Sequence, residues 1–267
     1  MKKKRQSEEI VRSLLELARS PAVQGSVRER TMLTEEREDA VQAAVYSAWS
    51  GLPNPIKLDL FTNAKPRRVH SGHRLFEVGD VGDGLYLLKS GLLKVMLESP
   101  QGGEVIIAIL VPGTIVGDLA IIDGLPRAAT VIALLDSDLL FVERADFDRC
   151  ALRHPELYRA IAKILSSRLR ATNQAVAADA FLSVKGRMAR TLLQIAKILG
   201  RSVGDREISF PDTISQRDLA AMSGITRETA NRVLAEWARI GLVVKSAHCY
   251  LITDSERLAL EIEKTDA

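Results

Sequence analysis

The stretch Ser215-Gln216-Arg217-Asp218-Leu219-Ala220-Ala221-Met222-Ser223-Gly224-Ile225-Thr226-Arg227-Glu228-Thr229-Ala230-Asn231-Arg232-Val233-Leu234 decides how the rest of the chain is read. Its pattern predicts a helix, a tight turn and a second helix. Ser215 and Thr226 are placed to cap the two helices, because a hydroxyl accepts from the free N–H groups of a first helical turn. Ala220 is small where the helices would cross, and Gly224 stands where the turn needs an unhindered backbone. At ~100° per residue, Ala230, Val233, Leu234, Trp237 and Ile240 share one side of the second helix. Arg227, Glu228, Asn231, Arg232 and Arg239 share the other.

A charged outer face is in itself an ordinary solvated surface. The capped pair with its alanine and glycine spacing gives that face a specific meaning. In such a motif the first turn of the second helix enters the major groove of DNA. Arginine donates to guanine O6 and N7, and glutamate accepts from cytosine N4. Arg227, Glu228 and Arg232 therefore suit a half-site containing G·C pairs. Ser215, Gln216, Thr226 and Asn231 complete the candidate DNA contacts. The hairpin near Val243 to Tyr250 resembles the wing of a winged helix, with Lys245 and His248 in reach of phosphate.

Upstream, residues 66 to about 148 read as strands and turns. Leu75-Phe76, Leu85 to Leu88, Leu92 to Leu97, Val105 to Val111 and Thr130 to Leu135 are the aliphatic runs. Turn signals separate them: Gly79-Asp80, Gly82-Asp83-Gly84, Ser90-Gly91, Gln101-Gly102-Gly103, Pro112-Gly113 and Asp123-Gly124. That spacing predicts a many-stranded barrel or sandwich without a long helix inside it. Within it, Val116 to Thr130 carries a glycine, a carboxylate and an arginine: Gly117, Asp118 and Arg127. Glycine admits backbone N–H groups to an anion, a carboxylate accepts from a sugar hydroxyl, and arginine clamps phosphate. The alternative is a turn closed by a structural Asp118–Arg127 salt bridge.

Residues 155 to about 181 predict one long helix. Ala162, Leu165, Leu169, Thr172 and Val176 form a coiled-coil seam. Leu157, Ile161 and Ile164 form a second stripe that can pack on the strand domain. Two stripes predict one side for the helix's own subunit and one for a partner; the alternative is the buried core helix of a monomer. Val184 to Leu199 predicts a further helix stopped by Gly200, followed by strands at Ile208 to Phe210, Leu242 to Lys245 and Tyr250 to Ile252. At the other end, Ile10, Leu14, Leu15 and Leu17 suggest a helix, and Thr34 to Trp49 a second, broken by Pro53 and Pro55.

The whole chain has 267 residues, 46% hydrophobic and only 4% aromatic, so its cores must be aliphatic. Its longest aliphatic run, Val105 to Val111, is far short of the ~20 residues of a membrane span. Two cysteines exclude a disulfide scaffold and a four-cysteine metal cluster within one chain. No signal-peptide stretch follows the opening Met-Lys-Lys-Lys-Arg, so a cytoplasmic protein is expected. The net charge of +3 is compatible with a nucleic-acid partner. His70 and His73 read as surface residues, and no metal site is expected. No nucleophile–base pair appears, so no enzyme is expected.

The helix-turn-helix and the strand domain together resemble the Crp/Fnr family of bacterial transcription regulators over roughly residues 66 to 260. Thr226-Arg227-Glu228-Thr229-Ala230-Asn231-Arg232 is similar to the recognition helix of cAMP receptor proteins. The resemblance implies TGTGA-type half-sites read as an inverted repeat by a homodimer, and RNA polymerase as a partner if the protein activates. Pro126-Arg127-Ala128-Ala129-Thr130 is similar to the phosphate-binding cassette of cyclic-nucleotide-binding domains. By that resemblance Arg127 and the Ala128 amide take a cyclic phosphate, Gly117 and Asp118 face the ribose, Leu119 belongs to the same ligand-binding set, and Thr172 and Asn173 meet the adenine of cAMP. Asp118 departs from the family's usual glutamate, which leaves another cyclic nucleotide, or no effector, as the alternative; a regulatory module that does not act on DNA is a further one.

The expected fold class is α+β with two domains. An N-terminal extension of residues 1–55 is helical and without an assigned role. A cyclic-nucleotide-binding-type β jelly roll spans 56–150, a dimerisation helix 151–182, and a winged helix-turn-helix 183–267.

Overall fold

The computed structural model describes residues 52–99, 102–246 and 248–263. The two helices expected before residue 50 lie outside the described residues. The first described element, α1 (Asn54–Phe61), begins at the prolines that were expected to break the chain. Pro53 stands at its N-cap and Pro55 in its first turn, where proline loses no hydrogen bond.

Six strands follow: β1 (Lys65–Val69), β2 (Arg74–Phe76), β3 (Gly84–Glu98), β4 (Glu104–Leu110), β5 (Ile115–Val116) and β6 (Thr130–Glu143). All their pairings are antiparallel, in the order β1-β6-β3-β4, with β2 on β6 and β5 on β3. Only α2 (Asp118–Asp123) interrupts them.

One expected turn is internal to a strand, and one strand runs beyond its expected aliphatic stretch. Ser90-Gly91 is not a turn between two strands but an irregularity inside β3, whose pairing with β6 shifts register there. Gly91 has φ +96°, and a Cβ on it would sit 2.2 Å from Ser137 Oγ. The opposite strand β6 likewise continues past Leu135 through Asp136-Ser137-Asp138. These polar residues hid the strand from hydrophobic patterning. Ser137 is buried nonetheless, because its Oγ accepts from Leu92 N and donates to Leu135 O.

Alternation along β3 divides two cores. Tyr86, Leu88 and Leu93 face the interior of the roll with Val116, Val131 and Leu139. Leu85 and Leu87 face the helices α1, α3 (Arg144–Arg153) and α4 (Glu156–Phe181), meeting Leu60, Phe147, Leu157 and Ile161. Leu157 and Ile161 of the expected inner stripe of α4 are therefore buried, and Ile164 is partly buried against the same core. The seam is divided: Leu165 packs partly on the same core, whereas Leu169 and Val176 are 62% and 63% exposed.

The C-terminal part contains α5 (Val184–Leu199), β7 (Arg201–Ser202), β8 (Ile208–Pro211), α6 (Gln216–Met222), α7 (Arg227–Arg239), β9 (Val243–Lys245), β10 (Cys249–Ile252) and α8 (Ser255–Glu263). Its strands pair in the order β7-β8-β10-β9. Met188, Leu192, Ile195, Leu219, Ala230, Trp237 and Leu242 form one core. The chain does not end in strands as expected: α8 follows and buries Leu258 against that core. Ile240 is also corrected. The helix stops at Arg239, Ile240 turns outward, and Leu242 fills the core position instead.

Candidate functional sites

The helix-turn-helix is built by two caps and one glycine. Ser215 Oγ accepts from Asp218 N at 3.1 Å, and the Asp218 carboxylate accepts from Ser215 N at 3.2 Å and from its hydroxyl at 2.6 Å. This is a reciprocal capping box at the start of α6. Gly224 adopts φ +60° in the turn, a conformation that strains other residues. Thr226 Oγ1 accepts from Thr229 N at 3.2 Å and caps α7. Ala220 and Ala230 are buried between the helices.

On the outer face, Thr226, Arg227, Glu228 and Arg232 are exposed, as is Ser215, while Gln216 and Asn231 are half-buried. None of the salt bridges among the described residues uses Arg227, Glu228 or Arg232. Asn231 Oδ1 is buried without a hydrogen-bond partner. In the wing, Lys245 lies 5.4 Å from the Tyr250 ring and 3.7 Å from Asp212, and His248 is exposed.

The cassette of the β roll is the opposite case, because its charges are already paired. Arg127 is 3% exposed. Its Nη1 donates to Gly84 O at 2.8 Å and Gly117 O at 3.0 Å, and its Nη2 to Asp83 Oδ1 at 2.7 Å. The guanidinium stands 4.4 Å from the Phe76 ring centroid, a cation–π contact. Gly117 caps α2 with φ +86°, and a Cβ there would come within 2.4 Å of Arg127 Nη1. Asp118, 2% exposed, accepts from Arg168 Nη1 at 2.7 and 3.0 Å, and Arg168 also donates to Ile115 O.

The alternative Asp118–Arg127 bridge is therefore not formed; each residue has another partner. Leu119 and Ala128 are exposed beside the pair. Thr172 is one helical turn beyond Arg168 on the same side of α4, and Asn173 follows it; both are exposed. Sequence reading missed Arg168 and Asp83. Arg168 stands one turn before Thr172 between two seam leucines, a charge worth questioning. Asp83 was absorbed into a turn signal.

The remaining polar candidates are structural. His70 and His73 are exposed, with His70 Nδ1 3.4 Å from Asp136. Burial, helped by Asp59 as its hydrogen-bond acceptor, pushes the Cys150 thiol up to about 12, which leaves it unreactive at neutral pH. Among the described residues no helix is long and apolar enough to cross a membrane.

A sensor-type β roll tied by a long helix to a winged helix-turn-helix defines a class of regulators. In comparison with known proteins, residues 66–154 match the Cyclic nucleotide-binding domain, and residues 186–260 the Crp-like helix-turn-helix domain. The chain is 35% identical over 193 residues to the CRP-like cAMP-activated global transcriptional regulator of Mycobacterium tuberculosis, covering 70% of this chain and 84% of that protein. It is 32% identical over 190 residues to the Cyclic AMP receptor protein of Thermus thermophilus, covering 71% and 84%. The fold is similar to that of FixK2 from Bradyrhizobium japonicum, with TM-score 0.66 and 18% identity over 76% of this chain and 99% of that one. The chain belongs to the Crp/Fnr family: it is a DNA-binding transcription regulator, not an enzyme.

Proposed function

We propose that the chain acts as a homodimer that binds an inverted repeat of TGTGA-like half-sites under the control of a cyclic nucleotide, cAMP first among them. The observation that carries the DNA reading is the open charge of α7. Arg227, Glu228 and Arg232 are exposed and outside any salt bridge on a helix whose apolar side is buried around Trp237. In this reading Arg227 and Arg232 contact guanines and Glu228 a cytosine. Ser215, Gln216 and Thr226 hold phosphates, and Asn231 orients the helix against the backbone. If the protein activates transcription, RNA polymerase is its further partner.

Dimerisation is supported by the far part of the seam of α4, where Leu169 and Val176 are exposed on a single chain while Leu157 and Ile161 of the inner stripe are buried. A two-fold pair of such helices matches an inverted repeat.

The residues of the cassette fit a cyclic phosphate. Arg127 Nε is buried without a partner, and Gly117, having no Cβ, lets the guanidinium pack directly against the backbone, where a Cβ would lie 2.4 Å from Nη1. Arg127, with the Ala128 amide, would hold the phosphate. Gly117, Asp118 and Leu119 would border the sugar, and Thr172 and Asn173 the base. The alternative of a different effector rests on Asp118, whose carboxylate is already bound by both contacts from Arg168. A ribose hydroxyl must share it.

Fluorescence anisotropy of a labelled TGTGA-N6-TCACA duplex, with and without cAMP at one salt concentration, tests both halves. Tight binding only with cAMP is the expected outcome, and Arg127→Ala is expected to lose that response while remaining dimeric. Tight binding indifferent to cAMP removes the effector from the reading. No specific binding in either state removes the half-site.

A further inference from the structure

A second connection joins the β roll to the helix-turn-helix, separate from the passage of the chain through α4. It is formed by β3 and β4. Lys94 Nζ on β3 donates to Asp218 Oδ1 on α6 at 2.6 Å, and the two side chains are 14% and 9% exposed. Asp218 is the same carboxylate that closes the capping box with Ser215. Beside it Arg217 donates to Glu104 at the start of β4 at 2.6 Å. Met96 and Ile106 are buried against Ala221, with Met222 packed alongside. Burial pushes the Asp218 carboxyl up, but the hydrogen bonds from Lys94 and Ser215 outweigh it and hold it below the usual carboxylate value.

The position of this contact gives it a consequence. The start of β4 lies at the N-terminal ends of both helices of the motif: Glu104 bonds the first turn of α6 and lines an open groove of about 540 Å³ with Thr226 and Thr229 of α7. In a helix-turn-helix these ends approach the DNA backbone. Here the sensor places a carboxylate among them and engages Arg217, a cation suited to phosphate. Arg227, Glu228 and Arg232 remain exposed, so the hairpin competes for backbone contacts rather than covering the base-reading residues.

We infer that the β3–β4 hairpin is an autoinhibitory clamp, held by Lys94–Asp218 and Glu104–Arg217, which DNA binding must displace from the first helix of the motif. The strand β3 also links the clamp to the cassette. Gly84, at one end of β3, accepts from Arg127, and Lys94 lies ten residues further along the same strand. The inference rests on the proposed DNA face at Ser215, Gln216 and Thr226, and the test separates the two.

Lys94→Met keeps the apolar stem but removes the charge. Loss of a cation should by itself weaken DNA binding, so a gain has the clamp as its cause. The full-length wild type first selects a duplex from a random-sequence library. Lys94→Met is then titrated against that duplex by anisotropy, without effector. Amide hydrogen exchange of residues 94–106 and 215–223 is followed in parallel. The expected result is at least tenfold tighter effector-free binding, with faster exchange in both segments. Glu104→Gln provides a second variant should Lys94→Met fail to fold, with a smaller gain in the same direction. A folded Lys94→Met that binds the selected duplex no more tightly than wild type overturns the clamp and leaves the DNA face intact. If neither the wild type nor a folded Lys94→Met selects a duplex, the DNA face is overturned and the clamp with it.

Discussion

The two charged clusters of this chain are built in opposite ways. In the cassette, Arg127 is enclosed by Asp83, Gly84 and Gly117, and Asp118 by Arg168. On α7, Arg227, Glu228 and Arg232 are presented to solvent with no salt bridge. The difference follows from what each must meet. DNA is a large, highly charged partner, and exposed arginines need only exchange water and counterions for it. A small effector enters a buried site, where an uncompensated charge is costly before the ligand arrives. The chain supplies internal partners there, and in the proposed function an effector must compete with them. The buried Lys94–Asp218 pair closes a charge in the same way at the start of the helix-turn-helix.

The comparison is broken most directly at Arg168. Replacing Arg168 by Met strands the carboxylate of Asp118, which is 2% exposed, and is expected to cost about 3 kcal/mol of stability. Urea unfolding at neutral pH measures this. A change below about 0.5 kcal/mol would show that the cassette's pairs are as loosely held as surface ones. The corresponding replacement on the open face behaves differently. Arg227→Ala is expected to leave the unfolding midpoint within the range of ordinary surface substitutions. It should reduce discrimination at one base pair by ~1–3 kcal/mol, read by anisotropy with single-base variants of the duplex. Unchanged base preference would fault the assignment of the recognition helix.

The smallest effect is a pH dependence at the clamp. Asp218 is held below the ordinary carboxylate value in the folded chain. Its contribution is therefore complete above the unfolded value near 4 and is lost as pH falls through the lower, folded value. Unfolding of wild type and Lys94→Met should differ by a constant amount between about pH 5 and 7, with the gap closing below about pH 4. A gap that closes between pH 6 and 7 would point to a different titrating group.

Residues that act with near neighbours were legible in the sequence. Ser215, Gly224 and Thr226 determine their turn through hydrogen bonds and dihedral angles a few residues long. The amphipathic division of α7 survives apart from Ile240, where the helix had already ended. The stripe Leu157–Ile161 was readable for the same reason, since helical periodicity is local. Strand limits were less legible, because Ser137 is buried by hydrogen bonds to Leu92 and Leu135 that no hydropathy pattern records. The helix α8 escaped because its apolar face is short and follows two strands closely.

The partners of the cassette were illegible for a different reason. Asp83 and Arg127 are 44 residues apart in sequence, Asp118 and Arg168 50, and Lys94 and Asp218 124. Charge alone does not say which carboxylate an arginine will choose, since every exposed Asp or Glu is an equal candidate until the backbone is placed. The sequence by itself determined which residues could carry DNA and phosphate chemistry, because residue type and local spacing suffice for that. Only the tertiary structure decided which charges are left open and which are closed upon one another. Ion pairing depends on distances of a few ångströms and on burial, and both are properties of the packed chain rather than of any segment within it.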